Sequence, residues 1–223
     1  MTRFSLHRRS LLAAAGLALP SFALAQDPAG PFRFKGWRGE EVDAERGYFE
    51  VPEDRSDPGS RRIRLGYVRF RSTAARPGNP IVYLSGGPGG TGTGTATGPR
   101  FPIFMALRAV ADVIAFDQRG TGLSKTIPPR EGSPVPPPPL TRAGLTDHCR
   151  HAFQEAWADW TASGVAMRGY NTAESADDID ALRRHLGAEK IDLWGISYGS
   201  HLALSVLKRH GDTIGRVALA SLE

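Results

Sequence analysis

The sequence predicts an α/β fold, a mostly parallel sheet with helices on both faces. Three observations carry that expectation. Strand-like and helix-like segments alternate through the second half, the pattern of parallel strands joined by helical crossovers. Ile81–Leu84 and Val113–Phe116 are apolar throughout, as central strands buried on both faces must be. The 223 residues are 40% hydrophobic and 23% charged, enough to bury a core and too apolar for a disordered chain.

The elements follow in order. Residues 1–25 read as an export signal. Arg8-Arg9 precede the apolar run Leu11–Leu19, Pro20 breaks it, and Ala23-Leu24-Ala25 is a small-x-small cleavage pattern before Gln26. The paired arginines resemble a twin-arginine signal; an ordinary secretory signal is the alternative. The run is too short for a stable anchor, and no later stretch reaches about 18 apolar residues, so no membrane association is expected after signal removal. Residues 26–223 are then one domain. Gly47–Val51 is a short strand stopped by Pro52, and Ile63 to Phe70 is a second, mostly alternating strand. Ile81–Leu84 follows, then a glycine loop, a short helix from about Ile103 to Val110, and the strand Val113–Phe116. Residues 128–139 hold seven of the 17 prolines, which excludes regular structure there and marks an excursion over about 126–165 with a helix at Thr141–Ser163. Asn171 and Glu174 form a capping-box-like start to a helix that Gly187 ends. Ile191–Trp194 is a strand, Tyr198–His210 a helix and Ile214–Ala220 the sixth strand.

Composition excludes several functions. One cysteine, Cys149, rules out an intrachain disulfide framework and any metal site built on several thiolates, and no metal or cofactor is expected. Lys and Arg total 28 against 23 Asp and Glu, but Arg3, Arg8 and Arg9 lie in the leader, which has no acid. Without them the balance is nearly neutral, which gives no support to nucleic-acid binding.

The strand Ile191–Trp194 runs into Gly195-Ile196-Ser197-Tyr198-Gly199, and a helix follows. This is G-x-S-x-G in its strand–turn–helix context. Gly195 and Gly199 remove Cβ atoms that would collide across the turn. Ser197 is the candidate nucleophile, and the Tyr198 N–H, unsatisfied at a helix start, a candidate oxyanion donor. After Leu84 comes Ser85-Gly86-Gly87-Pro88-Gly89-Gly90. Gly87 to Gly92 satisfies G-x-G-x-x-G, with Asp112 twenty residues on, the letters of a dinucleotide fingerprint. That reading is set aside, because the fingerprint must open a helix and Thr91–Gly98 is a poor helix former. The preferred reading makes the Gly87 N–H the second oxyanion donor.

These motifs, with Asp117-Gln118-Arg119-Gly120-Thr121-Gly122-Leu123-Ser124 between them, resemble the α/β-hydrolase fold. More narrowly they resemble the prolyl aminopeptidase and tripeptidyl aminopeptidase-like serine peptidases. Val51-Pro52-Glu53-Asp54-Arg55-Ser56 is similar to the exported members, as is Ser85 where other members carry His. The resemblance covers about residues 47 to 220. It implies that Ser197 attacks a carbonyl carbon of a small peptide or ester substrate, with the Tyr198 and Gly87 N–H groups holding the oxyanion. Asp117 and Arg119 are expected to support the site by tying down their turn.

The triad of this fold runs Ser, acid, His. After Ser197, 26 residues remain, which the next helix and strand fill. The expectation is therefore an N-terminal part of the fold, truncated after the sixth strand, lacking the acid and His and close to inert alone. Glu223 is a weak candidate for the acid. His201 is read as a helix-surface residue, and His148, His151, His185 and His210 as non-catalytic. Val217–Ala220 would be an open parallel edge, and Cys149 either lacks a partner or is a buried thiol. Alternatives are a carboxylesterase with the same nucleophile, or a non-catalytic hydrolase-like binding protein.

Overall fold

The computed structural model describes residues 28–129 and 141–222. The expected leader, most of the proline-rich stretch and Glu223 lie outside the described residues. The strands are β1 (Gly30–Lys35), β2 (Glu41–Pro52), β3 (Arg62–Phe70), β4 (Ile81–Leu84), β5 (Val113–Phe116), β6 (Ile191–Ile196) and β7 (Ile214–Ala220). The helices are α1 (Gly92–Ala96), α2 (Phe101–Leu107), α3 (Arg142–Ala162), α4 (Thr172–His185) and α5 (Tyr198–His210). They build one sheet in the order β1-β2-β3-β5-β4-β6-β7.

Strands β5, β4, β6 and β7 are parallel, and β1–β2–β3 is an antiparallel meander laid against β5. The described sheet has seven strands rather than the six expected. Strand β1 is the addition, and β2 begins six residues earlier than its expected Gly47 start. The chain steps from β4 to β5 in one direction and from β5 past β4 to β6 in the other. Right-handed crossovers then put their helices on opposite faces. The side chains agree. Val82, Leu84, Ile114 and Phe116 pack with Ile179 and Leu182 of α4 and Leu202 and Val206 of α5. Tyr83, Val113 and Ala115, the alternate residues, pack with Phe101 and Phe104 of α2. Each fully buried Leu, Ile or Phe contributes roughly 1.5–3 kcal/mol through apolar burial.

Three local expectations need correction. Residues 91–98 were read as non-helical, yet Gly92–Ala96 is a five-residue helix, with the Thr91 hydroxyl accepting from Gly94 N–H at 3.0 Å. Tertiary contacts override its poor propensity. The α4 cap is half of the expected box: Asn171 Oδ1 accepts from Glu174 N–H at 3.0 Å, but the Glu174 carboxylate turns away to Arg55. Cys149 is exposed on α3, so the buried-thiol alternative does not hold.

The two faces are covered unequally. Between α2 and β6–β7 lies a groove of about 700 Å³ lined by Ile103, Leu107, Val110, Trp194 and Val217. It reaches toward the amino ends of the strands, through Asn79 and Asp192, away from the glycine loop and Ser197. Among the described residues, strand β7 is last in the sheet order and residues 215–218 are exposed. No helix among the described residues is long and apolar enough to cross a membrane.

Candidate active site

The parallel strands point their carboxyl ends at one rim, where open α/β sheets place their ligands. Strand β6 delivers Ser197 to that rim. Ser197 has φ 53° and ψ −132°, a positive φ that costs a non-glycine residue about 1–3 kcal/mol and persists only when its surroundings enforce it. They do. Ser197 N–H donates to the Ala220 carbonyl at 3.0 Å, and the Ser197 carbonyl accepts from Ser200 N–H at 2.6 Å and the Ser200 hydroxyl at 2.7 Å. A Cβ on Gly199 would run into the Leu84 carbonyl oxygen, and one on Gly195 would come within 2.5 Å of the Gly199 carbonyl oxygen. The half-buried serine thus stands at the start of α5, where Tyr198, the first helical residue, has an N–H with no partner in its own helix.

The glycine loop lies directly against it. A Cβ added to Gly86 would be 3.0 Å from Ser197 Cβ and 3.4 Å from Ser197 Oγ. The loop closes on itself through Gly90 N–H to the Gly86 carbonyl at 3.1 Å. Gly87 has φ 130°, which L side chains rarely adopt, and it is exposed. In a trans peptide the carbonyl and the next N–H point opposite ways. With the Gly86 carbonyl turned to Gly90, the Gly87 N–H faces away from the loop interior. The dinucleotide alternative fails on Asp112, which precedes β5 at the opposite end of the sheet. Its carboxylate holds the Arg69 guanidinium and accepts from Ser72 N–H at 2.7 Å.

The turn after β5 anchors this loop. Asp117 is fully buried and accepts from Thr93 N–H at 2.9 Å, Thr93 Oγ1 at 2.6 Å and Leu123 N–H at 2.8 Å. Burial pushes its carboxyl above the usual carboxylate range, against those hydrogen bonds. Arg119 sits in a buried ion cluster. Its Nε and Nη2 reach Asp178 at 2.7 and 2.8 Å, and its Nη1 donates to the carbonyls of Glu53 at 2.6 Å and Gly169 at 2.5 Å. Arg55 completes the cluster, with Nη2 2.7 Å from Asp178 and Nη1 2.5 Å from Glu174. Glu53 takes Arg61, Tyr170 Oη and Ala166 N–H. So Val51–Ser56, singled out in the sequence, is a structural buttress beneath the 117–119 turn.

The residues align with known proteins over most of their length. The α/β hydrolase fold family matches residues 79–222, from the start of β4 to past β7. The chain belongs to the α/β-hydrolase family. The chain is 29% identical over 192 residues to a tripeptidyl aminopeptidase of Streptomyces coelicolor, covering 79% of this chain and 34% of that protein. It is 29% identical over 176 residues to a proline iminopeptidase of Arabidopsis thaliana, covering 77% and 34%. It is 27% identical over 177 residues to a serine protease of Mycobacterium tuberculosis, covering 70% and 31%. The chain spans about a third of the length of these relatives.

Of the described histidines, His185 and His210 are engaged away from Ser197. His210 is twelve residues along α5 from Tyr198, roughly 18 Å at 1.5 Å per residue, and its Nε2 pairs with Asp177 at 2.7 Å. His185 closes the far end of α4, 3.2 Å from Tyr67 Oη and stacked on Phe49, and burial lowers its pKa. His201 is exposed one turn into α5, its ring stacked on Tyr198 at 5.8 Å. His148 and His151 lie on the excursion helix α3. Glu223, the weak acid candidate, falls outside the described residues. Sequence reasoning named Gln118 only as part of its motif loop and gave no place in an ion cluster to Glu174, read as a helix cap, or to Asp178. For the last two no short-range signal exists, since they meet Arg55 across 119 and 123 residues.

Proposed function

We propose that this chain carries the nucleophile and oxyanion site of an exported serine hydrolase acting on peptide N-termini through an acyl-enzyme. The observation that carries the reading is Ser197 at a positive φ on the β6–α5 turn, with the glycine loop packed against its Cβ. On this reading Ser197 Oγ attacks a carbonyl carbon, and its proton passes to a base. The oxyanion takes hydrogen bonds from the Tyr198 and Gly87 N–H groups, and the departing amine takes the proton back. Asp117 and Arg119 hold the rim without touching the substrate. The curated relatives named as aminopeptidases favour a peptide amide as the scissile bond. The leader pattern of residues 1–25 favours export.

The acid and the histidine come, on this reading, from outside the described residues. The described residues by themselves then supply only oxyanion stabilisation and binding, which keep about 10³–10⁴-fold over water when a triad is disabled. The test is to incubate residues 26–223 with an activated ester of a short peptide bearing a free amine, and to read the intact mass. An acyl group should accumulate on Ser197, because deacylation also needs the base, and Ser197→Ala should abolish it. A wild-type chain that acquires no adduct, or an adduct that survives Ser197→Ala, would remove the reading.

A further inference from the structure

Three consecutive residues leave the end of β5, and two have structural tasks described above: Asp117 holds the start of α1 and Arg119 the ion cluster. The middle one, Gln118, is 6% exposed and sends its side chain elsewhere. Its Nε2 donates to the Ser85 carbonyl at 3.1 Å. Ser85 is the last residue before the glycine loop. The backbone from Ser85 to Thr93 is thus fastened at three points: the Ser85 carbonyl by Gln118, the Gly86 carbonyl by Gly90 N–H, and Thr93 by Asp117.

Among the described residues the other contacts of the two inner peptide planes are steric, Gly86 lying against the Ile196 carbonyl and Ser197. Gly86 and Gly87 lack side chains and rotate at little steric cost. The Ser85 hydroxyl faces Thr95 Oγ1 at 3.4 Å, so it does not hold its own carbonyl. A plane fixed at the Ser85 carbonyl sets the direction in which the chain enters Gly86, and so where the Gly87 N–H emerges beside Ser197. We infer that Gln118 is a positioning residue for the oxyanion loop, aiming the Gly87 N–H by holding the Ser85 carbonyl. The inference rests on the nucleophile reading above for its catalytic meaning. Its geometric content stands apart from that reading.

Two variants test it in residues 26–223. Gln118→Met keeps the length of the side chain and removes the donor. Gln118→Glu donates only when its carboxyl is protonated. In ¹⁵N-labelled Gln118→Met, the Gly86 and Gly87 amide signals should move, and hydrogen exchange over 86–90 should quicken about tenfold or more, while amides in the middle of α5 keep their rates. Fluorophosphonate labelling of Ser197 should slow about tenfold, short of the 10²–10³ that losing a whole oxyanion donor costs. Gln118→Glu should label slowly at neutral pH and approach the wild-type rate as acid restores its proton. A residue that merely fills space would show no such pH-dependent rescue. Unchanged Gly86 and Gly87 signals in a folded variant would overturn the inference, as would wild-type labelling in a variant whose signals have moved. If Gln118→Met fails to fold, Gln118→Glu supplies the same comparison within one protein at two pH values. A wild-type chain that does not label at Ser197 would count against the nucleophile reading alone, and the amide signals would still decide whether Gln118 holds the loop.

Discussion

Around Ser197 the fit is set by backbone packing on backbone, whereas around Arg119 it is set chiefly by guanidinium bonds to carboxylates and carbonyls. The first region spans five residues of one turn plus a loop that a missing Cβ lets into contact, with Gly199 under the Leu84 carbonyl and Gly86 against Ser197 Cβ. The second joins Glu53, Arg55, Arg119, Glu174 and Asp178 from three separate parts of the chain. The two meet in the 117–119 turn. A nucleophile's placement must be set to fractions of an ångström, and steric exclusion by backbone does that without relying on charge. A buried ion cluster tolerates no loss of a partner, but it fixes segments rather than single atoms.

The contrast gives different responses to substitution. The largest is expected at Asp178, 1% exposed beside an Arg119 that is 2% exposed. Breaking a buried pair strands the remaining charge and costs about 3–5 kcal/mol. Asp178→Asn should cost nearly as much as Asp178→Ala in urea unfolding, because charge rather than volume is lost. Near-wild-type stability of Asp178→Asn would break the comparison. Gly199→Ala comes next, at about 3 kcal/mol, since the added methyl meets backbone that cannot give way. Here size rules, so Gly199→Ser should match Gly199→Ala, and equal stability of either with wild type would show the turn to be slack.

Acid should separate the regions with opposite signs. In the ion cluster burial would raise the Glu53 carboxyl, but bonds from Arg61, Ala166 N–H and Tyr170 outweigh it and leave the pKa lowered. That contribution is complete above the ordinary glutamate value and is lost as pH falls through the lower folded value. Asp177, lowered by Arg209 and His210 despite burial, behaves alike. Asp117, raised by burial, opposes folding while ionised, and acidification from its folded value toward the ordinary aspartate value relieves that opposition. Hydrogen exchange at falling pH should therefore expose residues 51–56 and 170–178 before residues 91–95. The reverse order would contradict the assignment of charge to one region and sterics to the other. The smallest effect is at Asn171, whose loss as the α4 cap in Asn171→Ala should cost about 1 kcal/mol in thermal unfolding.

The same contrast explains what could be read from the sequence. Gly195–Gly199 and Ser85–Gly90 are local patterns, and the apolar runs of β4 and β5 name their own burial, so the parallel strands and the rim were legible. Strand β1 was not: Gly30-Pro31 opens it, and only Phe32 and Phe34 of its six residues are hydrophobic. The early half of β2, Glu41-Val42-Asp43-Ala44-Glu45-Arg46, is too charged to read as a strand and is ordered by pairing with β1. Helix α1 exists because Asp117 takes the Thr93 N–H and because Gly92 lets the helix approach the Phe116 carbonyl, and neither Asp117 nor Phe116 lies in its own five residues. The partners of Arg55 and Arg119 are long-range and carry no periodic signature.

The proposal that Ser197 is a nucleophile beside an oxyanion site is tested most directly by comparing labelling in folded and unfolded chains. Residues 26–223 are treated with a fluorophosphonate in buffer and in concentrated urea, and the modified peptide is identified by mass spectrometry. The account predicts labelling at Ser197 that is slow for a hydrolase, clearly faster folded than unfolded, and absent in Ser197→Ala. Equal rates in buffer and urea, or the same labelling in Ser197→Ala, would contradict it.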